Sequence, residues 1–116
     1  MSELTAEYVS SLALHSDTGK SRVNDLDPVF VREMGDVLAQ GLTKYPNDAD
    51  GVPNWWKGGD YRSFVGSILR HTLALAAGED FDAESGLPHA AHIAVDASFL
   101  RSWQRRGVGS DTRIRS

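Results

Sequence analysis

The sequence predicts an all-α fold, a compact bundle of three to four helices with a long Trp-containing loop. Three observations lead there: apolar residues recur at helical spacing in separate stretches, no strand pattern of useful length appears, and no internal repeat is visible. The 116 residues are the length of one domain, which can bury roughly two-thirds of its unfolded surface without staples.

Residues 1–17 are expected as an N-terminal arm that orders only against a partner. Leu4, Tyr8 and Leu12 give weak helical periodicity, and SDTGKSRVND then supplies turn and polar residues. Asp27-Pro28 pairs an N-cap with a proline at the first helical position, so a helix begins there. Its stripe is Val29, Phe30, Met34, Val37, Leu38 and Leu42, and it runs to about Lys44 before Pro46 stops it. Residues 46–59, PNDADGVPNWWKGG, carry no periodicity and form the long loop; Gly58-Gly59 fits no phosphate-loop pattern and belongs to the turn. From Asp60 the chain is periodic again through Tyr61, Phe64, Val65, Ile68, Leu69, Leu73 and Ala76, with Gly78 as the stop. Ser85 is expected to cap a third helix that tolerates Pro88 in its first turn. Its apolar face would be Leu87, Ala90, Ala91, Ala94, Ala97 and Leu100. The helical domain therefore spans residues 18–106, and residues 107–116 read as a basic tail.

Charge and composition exclude several classes. A formal net charge of −4 argues against a polymeric nucleic-acid partner, which needs a broad basic face. The local exception is the end of the chain, with Arg101, Arg105, Arg106, Arg113 and Arg115. Without cysteine there are no disulfides or thiolate metal sites, and a cytoplasmic setting is the default. No apolar run of about 18 residues exists and the N-terminus lacks a basic region ahead of an apolar one, so neither membrane spanning nor export is expected.

The densest chemistry lies in GEDFDAESGLPHAAHIAVD, residues 78–96. His89, His92 and Asp96 stand at i, i+3 and i+7, along one helical stripe, and two imidazoles with a carboxylate suit Zn²⁺ or another transition metal. The alternative is a set of core or surface side chains bonded to neighbouring loops. Asp82, Glu84 and Ser85 can contact a metal or ribose, or cap a helix. Arg70 offers a planar fork for phosphate with His71 as second donor and Lys44 as a further positive charge; alternatively Arg70 pairs with Glu79 or Asp82. Trp55, Trp56 and Tyr45 can stack on a base or belong to the core.

Taken in order, Lys44-Tyr45, Asn54-Trp55, Arg70-His71, Gly78-Glu79-Asp80, Asp82-x-Glu84-Ser85-Gly86 and His89-x-x-His92 make the chain resemble a phage and bacterial family. That family is named for the N-terminal domain of dATP/dGTP diphosphohydrolases, and the resemblance covers roughly residues 18–113. It implies a role in phage purine deoxynucleotide metabolism, where the parent enzymes release pyrophosphate from dATP or dGTP. In longer members that chemistry belongs to a following MazG-type helical domain, and residue 116 comes before such a domain would begin. The paired glutamates of MazG-type enzymes are absent; the dense acids here are Glu79, Asp80, Asp82 and Glu84, placed in a loop.

Three functional readings follow. In the first, the domain binds a purine deoxynucleotide through Lys44, Tyr45, Asn54, Trp55, Arg70 and His71. Glu79, Asp80, Asp82 and Asp96 then hold Mg²⁺ (or Mn²⁺ or Co²⁺), and His89 or His92 orients water for hydrolysis. In the second it is a non-enzymatic, homo-oligomeric phage protein that sequesters nucleotide signals of host defence, with pockets between subunits. The third is an HD-like metal phosphohydrolase using His71, His89, His92 and Asp96, although the usual adjacent His-Asp pair is missing.

Overall fold

A computed structural model of the chain describes residues 11–115. The arm positions Leu4 and Tyr8 lie outside them, and Leu12 lies in an exposed, non-helical stretch. Three α-helices follow: α1 (Pro28–Gly41), α2 (Tyr61–Ala76) and α3 (His89–Arg106). The described residues contain no strand, only two isolated bridges, so the all-α expectation holds. None of the described helices is long and apolar enough to cross a membrane.

Each helix begins and ends for a local reason. Asp27 caps α1 by accepting the Val29 amide at 2.9 Å, with Pro28 in the first turn where its missing N–H costs nothing. The α-helical ladder ends at Gly41 instead of Lys44, and residues 42–44 close as turns with the Lys44 and Tyr45 amides both on the Gly41 carbonyl. Pro46 accounts for this, because it disfavours helical backbone at the residue before it. Asp60 caps α2 through the Ser63 amide at 2.9 Å. Gly78, with φ of +92°, then closes it: the Glu79 amide reaches Ala74 O and the Gly78 amide reaches Leu75 O.

The third helix departs from expectation. Ser85 does not cap it; α3 starts at His89, after Pro88, with no side-chain cap. Residues 80–89 fold back on themselves first, with the Asp82 amide on Leu87 O and the His89 amide on Asp80 O, and that turn absorbs Ser85. The buried stripe also differs from the predicted alanine face. Ala91, Val95 and Trp103 are buried with Phe99 between them, an i, i+4 row, while Ala97 is exposed.

Helix α3 is the centre of the molecule. Both α1 and α2 pack on it, and among the described residues α1 and α2 do not pack on each other. The long loop is pinned to it as well, through the 3₁₀ turn Asn54–Lys57. The Trp103 indole N–H donates to the Trp55 carbonyl at 2.7 Å, and Trp55 stacks on Phe99 with ring centroids 4.5 Å apart. Arg106 lies 3.6 Å over the Trp56 ring and donates to the Trp56 carbonyl.

The segment read as a tail is strapped to the fold. The Tyr61 amide donates to Ser110 O and the Ser110 amide to Gly59 O, both at 2.9 Å, and the Tyr61 hydroxyl reaches Val108 O. Gly58-Gly59 allows this approach, since a Cβ on Gly58 would stand 2.4 Å from the Gly109 nitrogen. Arg113 and Arg115 are paired with Asp111.

Candidate functional site

Because α1 and α2 lean on α3 without meeting, a trough opens between them with α3 as its floor. Its polar part, about 330 Å³, is walled by Lys44 and Tyr45 beyond α1, by Ser67, Arg70 and His71 on α2, and by Asp82, Glu84 and Ser85 of the loop before α3. Its apolar part, about 690 Å³, is walled by Leu38, Asn54, Trp55, Phe99 and Trp103. Gln40, Tyr45, Phe64, His92 and Asp96 line both, so the two parts adjoin. Both volumes fall within the range of small-molecule sites, roughly 300–1,000 Å³.

At the polar end three imidazoles converge. His71 Nδ1 lies 2.8 Å from His89 Nδ1, and the His71 ring stacks parallel to His92 with centroids 4.5 Å apart. His92 Nε2 is 2.8 Å from the Ser85 hydroxyl, and the Ser67 hydroxyl donates to Asp96 at 2.8 Å. His89 is buried, and its Nε2 faces the Glu79 carboxylate at 3.5 Å.

These surroundings set the charges. Burial, then repulsion from His92 and His89, hold the His71 pKa below its ordinary value. Burial pushes the Asp96 carboxyl above the usual carboxylate value, with the Ser67 hydrogen bond opposing it. At Asp82 burial also acts upward, yet the Ser85 amide and hydroxyl and the nearby imidazoles outweigh it, and its pKa is lowered. Asp82 is therefore an ionised carboxylate beside three histidines.

The predicted site residues fall into three groups. His71, His92, Asp82, Asp96, Arg70, Lys44 and Tyr45 share the polar compartment. Arg70 forms no ion pair among the described residues, so the predicted Arg70–carboxylate alternative is not what its surroundings show; its guanidinium lies over Gly66. Lys44 is paired with Glu84 across the mouth of the cleft. Asn54 and Trp55 stand in the aromatic compartment, where Trp55 both lines the space and belongs to the ring cluster. Glu79 and Asp80 lie outside the cleft lining, Glu79 behind His89 and Asp80 joined by its backbone to His89. His89, His92 and Asp96 share one helix, but His89 turns toward His71 and Glu79 while Asp96 turns toward Ser67.

Sequence reasoning missed Ser67, Gln40, Phe99 and Trp103. Ser67 stands three and four residues before Arg70 and His71, a spacing that puts all three on one face of α2. Phe99 and Trp103 share an i, i+4 spacing that the run of alanines obscured.

The fold and site define a class: an all-α domain with a histidine- and carboxylate-lined cleft beside an aromatic one. Residues 10–113 match the family described as dATP/dGTP diphosphohydrolase, N-terminal, and the chain belongs to that family. It is also 38% identical over 84 residues to a protein of Salmonella phage PMBT28 named dATP/dGTP diphosphohydrolase. That alignment covers 72% of this chain and 27% of the relative, so the chain corresponds to a minor part of the relative's length. No solved structure matches the chain.

Proposed function

We propose that this domain binds a purine deoxynucleoside triphosphate along the trough, with phosphates in the polar compartment and base in the aromatic one, and serves its hydrolysis to monophosphate and pyrophosphate. The observation that carries the reading is that the two compartments adjoin, sharing Tyr45, Phe64, His92 and Asp96 as lining. Base and phosphates are the apolar and the charged ends of one molecule, and a binding site for them needs both environments in line. The family description and the relative's name supply the substrate class.

Residue roles follow from position. Arg70 and His71 meet the phosphates, Arg70 with a fork that suits two oxygens, and Lys44 adds a charge when it leaves Glu84. The base lies against Trp55 and Phe99, with Tyr45 and Asn54 at its edges. Asp82, Glu84 and Asp96 line the phosphate end too; Glu84 and Asp96 would hold a dication, Mg²⁺, Mn²⁺ or Co²⁺, which would offset the repulsion between these carboxylates and a triphosphate. His92 stands at the junction, where the α-phosphate falls. It orients the attacking water: the water oxygen bonds to the α-phosphorus, the bond from that phosphorus to the bridging oxygen breaks, pyrophosphate leaves, and the water proton passes to the imidazole.

The test is incubation of the purified domain with each dNTP and a dication, followed by chromatography and by calorimetric binding. The proposal expects dATP and dGTP to bind and to yield dNMP and pyrophosphate, with Arg70→Ala weakening binding. Binding without turnover removes the catalytic half and leaves a nucleotide-binding module. No binding of any dNTP removes the proposal.

A further inference from the structure

We propose that His71, Asp82 and His89 form a protein-held site for a first-row transition dication of the Zn²⁺ or Co²⁺ kind, distinct from the dication that accompanies a nucleotide. One ligand atom from each of the three lies within 4.8 Å of those of the other two. They come from three segments, α2, the loop before α3 and the first turn of α3, which the fold brings to one point. Two imidazoles and a carboxylate are the donor set of Zn²⁺, Co²⁺ and their neighbours; Mg²⁺ prefers oxygen ligands and keeps its waters.

The hydrogen bonding of His89 points the same way. Its side chain is 5% exposed, and its Nε2 is buried without a hydrogen-bond partner. The two Nδ1 atoms of His71 and His89 face each other at 2.8 Å, a contact that a single proton can bridge. If His89 supplies that proton, its Nε2 is left as a buried lone pair facing the Glu79 carboxylate; if His71 supplies it, the His89 Nε2–H is a buried donor without a hydrogen-bond partner. A cation shared by both Nδ1 lone pairs fixes the tautomer: each ring then carries its proton on Nε2, and the His89 N–H lies beside the Glu79 carboxylate, whose Oε2 is 3.5 Å from the nitrogen. A carboxylate behind the far nitrogen is what metal-bound imidazoles commonly have. Glu79 is positioned for this by the closing turn of α2, and Asp82 by the Ser85 amide at 2.8 Å. Two nitrogens on one tetrahedral ion stand about 3.3 Å apart, so the rings must part by roughly half an ångström.

Three protein ligands leave a coordination position open. His71 and Asp82 line the cleft, so that position faces the space where a water or phosphate oxygen can enter. The metal site itself does not depend on the nucleotide reading.

The test uses the whole chain, stripped with chelator, dialysed in parallel against Zn²⁺, Co²⁺ or Mg²⁺, and measured for metal content, with the visible absorption of Co²⁺ as a coordination readout. The expected result is about one Zn²⁺ or Co²⁺ retained per chain, no retained Mg²⁺, and Co²⁺ bands of low coordination number. His71→Ala and Asp82→Asn should abolish the bands, Glu79→Gln should weaken Co²⁺ binding about 10–100-fold while keeping them, and Asp96→Asn should leave them unchanged. Circular dichroism of the metal-free variants separates lost ligands from lost fold. Absence of retained ion in the wild type, or equal retention in His71→Ala and Asp82→Asn, overturns the site. Retained metal with no dNTP binding would sink the nucleotide proposal and leave this one standing.

Discussion

Trp103 is the residue that joins the most parts of this fold. It is fully buried, its N–H holds the Trp55 carbonyl, Phe64 meets its ring edge-on at 4.8 Å, and a Cβ on Gly59 would stand 2.9 Å from it. Trp103→Ala should cost about 3–5 kcal/mol in urea unfolding. Trp103→Phe should cost less, about 1–3 kcal/mol, because the main loss is the partner of a carbonyl under the loop. Equal costs would show that the ring kept by phenylalanine contributes nothing and would assign the effect to the indole N–H on the Trp55 carbonyl. Gly58 is the other single position with little latitude. Its φ of +95° and its approach to Gly109 leave no room for a methyl group, so Gly58→Ala should lose more than about 1 kcal/mol. An unchanged unfolding midpoint would show that the 107–112 strap is dispensable.

At the level of elements, the strap and the α2–α3 seam carry the next two predictions. Removing residues 108–116 deprives Tyr61 of both the Ser110 and the Val108 carbonyls, so amide exchange at Tyr61–Phe64 should accelerate ahead of the rest of α2. Uniform exchange along the helix would contradict that. The seam holds His71 between His89 and His92, with Asp82 and Asp96 facing it. Its pKa is lowered from the ordinary 6.5, so the unfolded chain takes up a proton before the folded one does. The resulting stability is complete above about pH 6.5 and declines as pH falls toward the folded value. Asp96, with a raised pKa, has the opposite sign: its ionisation opposes folding, and stability is lost as pH rises from 3.8 through its folded value. Metal-free protein should therefore unfold more readily at pH 5.5 than at pH 7.5, and His71→Asn should flatten that difference; an equally steep dependence in the variant would place the titrating group elsewhere.

Across the whole molecule, little is deeply buried. Among the described residues the buried set is Tyr61, His89, Ala91, Val95 and Trp103, while Val29, Leu42, Leu69 and Leu73 are exposed. With so small a core, a ligand that bridges α1, α2 and α3 should change stability visibly. At 100 times its Kd a ligand adds about 2.7 kcal/mol, which for a domain of this size corresponds to a midpoint rise of about 10 °C or more. Thermal unfolding with dATP or dGTP and a dication should show that rise, and a flat response would remove nucleotide from the trough.

Local physics was legible in the residues themselves. Asp27-Pro28, Asp60 and Gly78 mark helix ends because capping involves only neighbours in the chain, and helical spacing of apolar residues identified α1 and α2 for the same reason. The region of the site was also legible, since Arg70-His71 and residues 78–96 concentrate the groups that bind and transfer protons. Which of those groups meet was decided only by the tertiary structure. Ser85 looks like a cap but bonds His92, because residues 80–89 fold back before α3 begins. His71 and His89 touch across eighteen residues of chain, and Trp103 reaches back to Trp55 across 48. Such contacts depend on how α1 and α2 pack on α3, which for α2 includes the rings of Phe64, Phe99 and Trp103, and no local pattern encodes that packing.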